Sequence, residues 1–337
     1  MRRLLPEWHP QWGVLMAWPH HFTDWASDLV PVEGCYQAIA REILARQNLL
    51  MLCQDDEHEQ RILALLGNSP RLHLCQLPYN DTWARDFGPL CIGAEHAEAL
   101  LDFQFNGWGG KFDAELDNQV SSQLEWSLPL LPSSLVLEGG SVEIDDHGRL
   151  LTTRQCLLNP NRNPQFDQPA LEAQLRESLG VTEVWWLQHG HLEGDDTDAH
   201  IDTLARFCPG NVIAHVSCDD PDDSHYQPLK AMQAELEALA ERHQLQLVAL
   251  PIPAAQHDSD GSRLPATHAN FLIINNAVLV PTYDDPTDRI ALERLAGVFP
   301  GREVIGIDCR ALIAQHGSLH CVTMQLPLET RQETSPS

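Results

Sequence analysis

One alternation constrains this chain more than any other feature. Five times, a segment with apolar residues at spacings of three and four gives way, after a short gap, to a short apolar run. "EGCYQAIAREILARQ" precedes "NLLMLC", "EHEQRILALLG" precedes "RLHLCQL", and "QPALEAQLRESLG" precedes "TEVWWL". "PLKAMQAELEALAERH" precedes "LQLVAL", and "TDRIALERLAGVF" precedes "EVIGID". The first pattern is that of an amphipathic helix and the second that of a buried strand. Five helix–strand pairs predict an α/β fold of modules repeated around a centre. An ordinary doubly wound sheet remains the alternative that periodicity leaves open. Neither GxGxxG nor GxxxxGK[ST] occurs, so nucleotide binding has no support.

With 337 residues and no Gly/Ser linker or low-complexity run, one compact domain over residues 1–330 is expected, followed by a flexible tail at 331–337. The 48 acidic and 21 basic residues give a net charge of −27, which disfavours nucleic acid and anionic membranes and favours small cations. No run approaches the length of a membrane span. Pro6, Glu7, His9 and Pro10 interrupt what would be a secretory apolar core, so a cytoplasmic protein is expected. The nine cysteines are odd in number and include no CxxC pair, which predicts reduced and mostly buried thiols. The oligomeric state stays open, a homodimer being one option.

Unusual residues concentrate in the loops between these units, above all in "HGHLEGDDTDAHID" at 189–202. His189 and His191 with Asp195 and Asp196 admit a hydrolytic metal site, but no HExxH or matching histidine cluster supports one. Loop or hydrogen-bonding roles suit these histidines better, and no metal or cofactor is expected. His200 and Asp202, two residues apart, share a face if the segment is extended. Cys321, in the strand-like "SLHCVT", offers a thiol that such a histidine could activate. A lone cysteine in an apolar run is ordinarily packing, so the weight falls on the combination.

"NDTWARDFGP", "FNGWGG", "EGGSVEID", "TTRQCLLNPNRNP", "DDTDAHIDTLARF", "THANFLI" and "GSLHC" occur in the order found in agmatine deiminases. By these segments, spread over nearly the whole chain, the sequence resembles the Porphyromonas-type peptidylarginine deiminase family of guanidine-modifying penteins. The resemblance implies a pentein α/β propeller, five ββαβ modules around a pseudo-fivefold axis. It further implies a hydrolase of linear amidine C–N bonds that converts agmatine to N-carbamoylputrescine and ammonia on the route to putrescine. Carried over by position, it makes Cys321 the nucleophile, His200 the general acid/base, and Asp86 and Asp202 the carboxylates that grip the guanidinium. Glu138 would orient the histidine, and Asn270 would be a polar active-site group.

A guanidinium is planar, cationic and rich in N–H donors, so two carboxylates can fix its plane while a thiolate approaches its carbon. Asp195, Asp196 or Asp198 would meet the distal ammonium of agmatine, against the ordinary role of such residues as turn caps. Trp83 and Trp108 would flank the alkyl chain, against the ordinary role of tryptophan in a core. Arg85 is expected to pair with a carboxylate, and Trp18, Asp24 and Trp25 to close the site. Two positions depart from the family pattern. Ser318 stands near an asparagine position, and Ala199 replaces the usual glycine before the histidine, so the backbone there should avoid glycine-only conformations. Peptidyl arginine or another guanidine is the alternative substrate. A metal-dependent hydrolase and a non-catalytic cation-binding protein are the more distant alternatives.

Overall fold

All five helix–strand pairs are present in the computed structural model, which describes residues 2–331; of the expected tail, 332–337 lie outside the described residues. The helices Leu29–Arg46, Asp56–Leu66, Gln168–Leu179, Tyr226–His243 and Pro286–Val298 lead into strands Asn48–Cys53, Leu72–Gln76, Glu183–Leu187, Gln246–Pro251 and Glu303–Asp308. Local chemistry sets the boundaries. Asp55, Asp167 and Asp285 each accept a backbone N–H in the first helical turn, satisfying donors that lack an intrahelical partner. Gly180 ends its helix in the left-handed conformation. Along Leu29–Arg46, Val32, Tyr36, Ile39 and Ile43 form one buried stripe, the three-and-four spacing seen in the sequence.

Five sheets of three or four strands follow one plan, in which a strand pairs antiparallel with a second and the second pairs parallel with a third. Ala205–Cys208, Val212–Ser217 and Gln246–Pro251 show it, as do Leu272–Ile274, Ala277–Thr282 and Glu303–Asp308. Glu143–Ile144, Arg149–Thr153 and Glu183–Leu187 make a third sheet of this kind. In a fourth, Leu90–Gly93, Ala97–Gln104 and Leu130–Val136 are joined by Arg3–Leu4 at the edge. The fifth contains Gln11–Ala17, Asn48–Cys53 and Leu72–Gln76, with Met324–Pro327 from the far end of the chain supplying its antiparallel member.

The five helix–strand pairs are therefore not one per sheet. Two of them belong to the sheet containing Gln11–Ala17, whereas the crossover from Ala97–Gln104 to Leu130–Val136 has only the short turns Gly107–Gly110, Asp117–Gln119 and Val120–Gln123. A parallel return needs a crossover but not a long helix. The middle strands, Gln11–Ala17 and Val212–Ser217, are buried throughout, as parallel strands covered on both faces must be. No described helix is long and apolar enough to cross a membrane.

Candidate active site

The chemistry-bearing loops converge on a cavity of about 650 Å³ whose lining includes Trp83, Asp86, Trp108, Asp196 and Cys321. Asp86 lies on the one-turn helix Ala84–Phe87 and is buried. One of its oxygens accepts the Trp108 indole N–H at 2.9 Å, and the other accepts the Gly140 N–H at 2.9 Å. Trp108 itself has φ 54° between left-handed Gly107 and Gly109, a turn that aims the indole at the carboxylate. The Nδ1 of His200 stands 3.7 Å from Asp86 Oδ1.

Gly140 shows how closely these groups meet. A Cβ there would lie 2.7 Å from His200 Nδ1, 2.9 Å from Asp86 Oδ1 and 3.0 Å from Asp202 Oδ2. A histidine and two carboxylates thus approach one point, and only a residue without a side chain fits between them. Neither His200 and Asp202 nor Cys321 lies in an extended strand as expected. Ile201–Thr203 form a 3₁₀ turn, and Cys321 sits in a turn three residues before Met324–Pro327. Tertiary position, not strand alternation, brings them together.

Burial, with Asp202 and Asp86 adding to it, pushes the Cys321 thiol well above its ordinary range, so the resting group is the thiol. Its sulfur lies 3.5 Å from Asn270 Oδ1, which also accepts the His320 N–H at 2.9 Å. Asn270 is wholly buried beside Cys321. Burial drives Asp86 up to about 6 against the opposing pull of His200. Burial alone would lower His200, but Asp86, Cys156 and Glu138 outweigh it and raise the group to about 10.

The model of the Porphyromonas-type peptidyl-arginine deiminase family matches residues 3–327. The chain belongs to that family. An agmatine deiminase of Stutzerimonas stutzeri is 33% identical, with 95% of this chain and 94% of the relative covered. A C. jejuni agmatine deiminase, solved as a cysteine-to-serine variant with substrate bound, is 36% identical at a TM-score of 0.91, covering 97% and 96%. A Porphyromonas gingivalis protein solved as a candidate arginine deiminase is 48% identical at a TM-score of 0.92, covering 98% and 100%.

Against expectation, Ala199 does not avoid the glycine conformation: its φ is 64°, and Asp198 before it has φ 66°. Two successive left-handed residues cost about 1–2 kcal/mol each, so other contacts must hold them. Asp195 is one holder, taking the Ala199 N–H at 2.5 Å and the Thr197 N–H at 3.0 Å. It lines the cavity, yet its oxygens are engaged in capping. Asp198 is turned away from the role expected for it, with one oxygen 2.9 Å from Lys111 Nζ and the other 2.7 Å from Arg162 Nη1. Of the three acids, Asp196 is the cavity residue whose carboxylate is not consumed by the turn. Ser318 bonds the Tyr283 hydroxyl at 2.9 Å.

Glu138 is fully buried with both oxygens on Arg162 Nε, at 2.8 and 3.0 Å, and lies within 4.8 Å of a His200 ring nitrogen and the Cys156 thiol. Its direct partner is thus an arginine that sequence reasoning assigned no role. A second overlooked group lies beneath Asp202. His320 places Nδ1 2.7 Å from Asp202 and Nε2 2.7 Å from Glu7, and Arg206 reaches Glu7 at 2.8 Å and bonds Glu143. His320 and Arg206 hold Glu7 and Asp202 ionised against the opposing effect of burial. Arg85 is expected to meet a carboxylate and lies 3.7 Å from Glu7. The nearest signals for these groups were "EWHP" at the N-terminal end, the "NRNP" run and the histidine preceding Cys321.

The expected metal alternative finds no assembly at its own residues: His189 pairs with Glu235, and His191 is exposed. Among the described residues, Glu138–Cys156–His200 and Glu7–Glu143–His320 come close enough to share an ion, but arginine already bonds the carboxylates in each. Of the N-terminal loop, Asp24 lines the cavity while Trp18 and Trp25 are core residues with no exposure.

Proposed function

We propose that this chain is an agmatine deiminase, hydrolysing the guanidinium of agmatine to N-carbamoylputrescine and ammonia. The observation that carries the reading is the convergence of Asp86, Asp202 and His200 around Gly140, with the Cys321 thiol on the wall of the same acid-lined cavity. Binding a small cation requires acids but no thiol, so a purely cation-capturing protein accounts for less of the site. In this reading the five similar sheets form a pentein propeller about a pseudo-fivefold axis, one domain over residues 1–330, working in the cytoplasm.

The guanidinium lies between Asp86 and Asp202, each accepting its N–H groups. Its charge neutralises the two carboxylates that keep the thiol high and, through Asp86, keep His200 protonated. With both groups lowered, His200 releases its own proton to solvent and then takes that of Cys321, and sulfur attacks the guanidinium carbon to give a tetrahedral adduct. His200 returns that proton to one amino nitrogen, the C–N bond breaks, and ammonia leaves behind an S-alkylthiouronium. Water then loses a proton to His200 and adds to the same carbon; the C–S bond breaks, and the sulfur regains a proton as the ureido product departs. Glu138 supports His200 from the Arg162 side. Trp83 and Trp108, 6.4 Å apart by ring centroids, flank the chain, and Asp196 takes the distal ammonium.

Free or peptidyl arginine is the second reading, favoured by Lys111, a cation in the cavity wall, and weakened by its pairing with Asp198. Incubation with agmatine and arginine separately, following ammonia and the ureido product by mass, tests both. Conversion of agmatine alone supports the proposal, and conversion of arginine in preference overturns it.

A further inference from the structure

We propose that Arg162 is a positioning residue for catalysis, fixing Glu138 and the left-handed turn that ends at His200 as one rigid unit. The inference rests on the reading of His200 as the acid/base. Arg162 has no side-chain exposure, and each nitrogen of its guanidinium has a defined partner. Nε faces both oxygens of Glu138 at 2.8 and 3.0 Å, Nη1 donates to Asp198 Oδ2 at 2.7 Å, and Nη2 donates to the Thr197 carbonyl at 3.0 Å. One side chain thereby ties a carboxylate within 4.8 Å of a His200 ring nitrogen to the two residues just before the strained Ala199.

The turn itself needs this anchor. Asp198 and Ala199 at φ 66° and 64° are held in a region that residues with a Cβ populate only when their surroundings impose it. The remaining ties are Asp195 to the Ala199 N–H, the Thr153 hydroxyl to the Ala199 carbonyl at 2.8 Å, and the Thr197 hydroxyl to the His200 N–H at 3.2 Å. Lys111 completes the frame from the cavity side, bonding Asp198 and the Asp196 carbonyl at 2.9 and 2.6 Å. An alanine in this conformation has less freedom than a glycine would, so the backbone ahead of the histidine is narrowed to one conformation and clamped there. A planar fork with donors in three directions can serve all three partners at once; a lysine, with one point charge, cannot.

The test uses the full chain with Arg162→Lys, Arg162→Gln and Asp198→Asn, the last keeping Arg162 on Glu138 while replacing its ionic tie to Asp198 with a neutral one. Two readouts are taken: steady-state kinetics with agmatine across pH, and the His200 imidazole titration by NMR. The expected result is a fall in kcat of about 100-fold with KM changed far less, since displacement of a reacting group by about 1 Å has that effect. The His200 titration should move by about one unit or more in Asp198→Asn, and Arg162→Lys should restore little of the rate. A folded Asp198→Asn or Arg162→Gln protein with wild-type kcat and an unmoved His200 titration overturns the proposal. If Arg162→Gln does not fold, Asp198→Asn decides alone. Wild-type protein that leaves agmatine unchanged, with His200 still displaced in Asp198→Asn, overturns the agmatine reading and leaves the positioning role standing.

Discussion

His320 Nδ1 lies 2.7 Å from Asp202 Oδ2, which joins the residue preceding Cys321 to one of the two carboxylates proposed to grip the substrate. Its other nitrogen is 2.7 Å from Glu7, so both contacts are hydrogen bonds only if the three groups share two protons. Replacing His320 by Ala leaves Asp202 buried with one charge-assisted partner fewer, a loss of about 1.5–3 kcal/mol. We expect His320→Ala to lower kcat/KM for agmatine by roughly 10- to 100-fold. Parallel melting curves should show a destabilised but folded protein; unchanged kinetics would exclude Asp202 as the residue being held.

Removal of the nucleophile separates binding from chemistry. Cys321→Ala should abolish turnover while agmatine still binds, because the carboxylates do not depend on the sulfur. Isothermal calorimetry on the variant checks this, and residual turnover near wild type would sink the covalent route.

Gly140 has no room for change. The Cβ of Gly140→Ala would fall 2.7 Å from His200 and 2.9 Å from Asp86, so one of the two must move. A loss of at least about 100-fold in kcat is expected from such a displacement. Kinetics together with a far-ultraviolet spectrum matching wild type would establish it as a local effect.

Thermal stability should peak at about pH 4 to 5, where the depressed acids already contribute fully and the raised ones have barely ionised. Burial raises Asp86 from 3.8 to about 6 and Glu143 from 4.5 to about 7, so ionising them on the way up through these values destabilises the folded state. His200, raised from 6.5 to about 10, contributes stability fully present below pH 6.5 and lost as pH climbs toward 10. Glu7 and Asp202 act oppositely: both are depressed, so the stability that they provide is lost in acid. Melting scans from pH 3 to pH 9 test this; a maximum above pH 7 would contradict the assigned directions.

How much could be read beforehand depended on whether the information was local. The helix Leu29–Arg46 and its following strand announce themselves because burial on one face repeats every three or four residues. The sheet of Leu90–Gly93, Ala97–Gln104 and Leu130–Val136 escaped the same reading, since its crossover has no long helix to carry a period. That Cys321, His200, Asp86 and Asp202 come together in space was legible through ordered motifs. Arg162 and Glu7 were not, because their partners stand 24 and 313 residues away and a buried ion pair leaves no pattern along the chain. The pairing of Asp198 with Arg162 was hidden for the same reason: from the sequence, nothing distinguishes an acid facing a substrate from one facing Arg162.

The strand Met324–Pro327 closes against Gln11–Ala17, and Cys321 stands just ahead of it. A chain emerging from the ribosome therefore presents its acidic pocket residues first and its proposed reactive sulfur near the end, with the strand that seals the first sheet. Enzymatic competence and architectural completion arrive in one event, so a chain truncated before that strand is left without its sealing edge, and one truncated before Cys321 without its reactive atom as well.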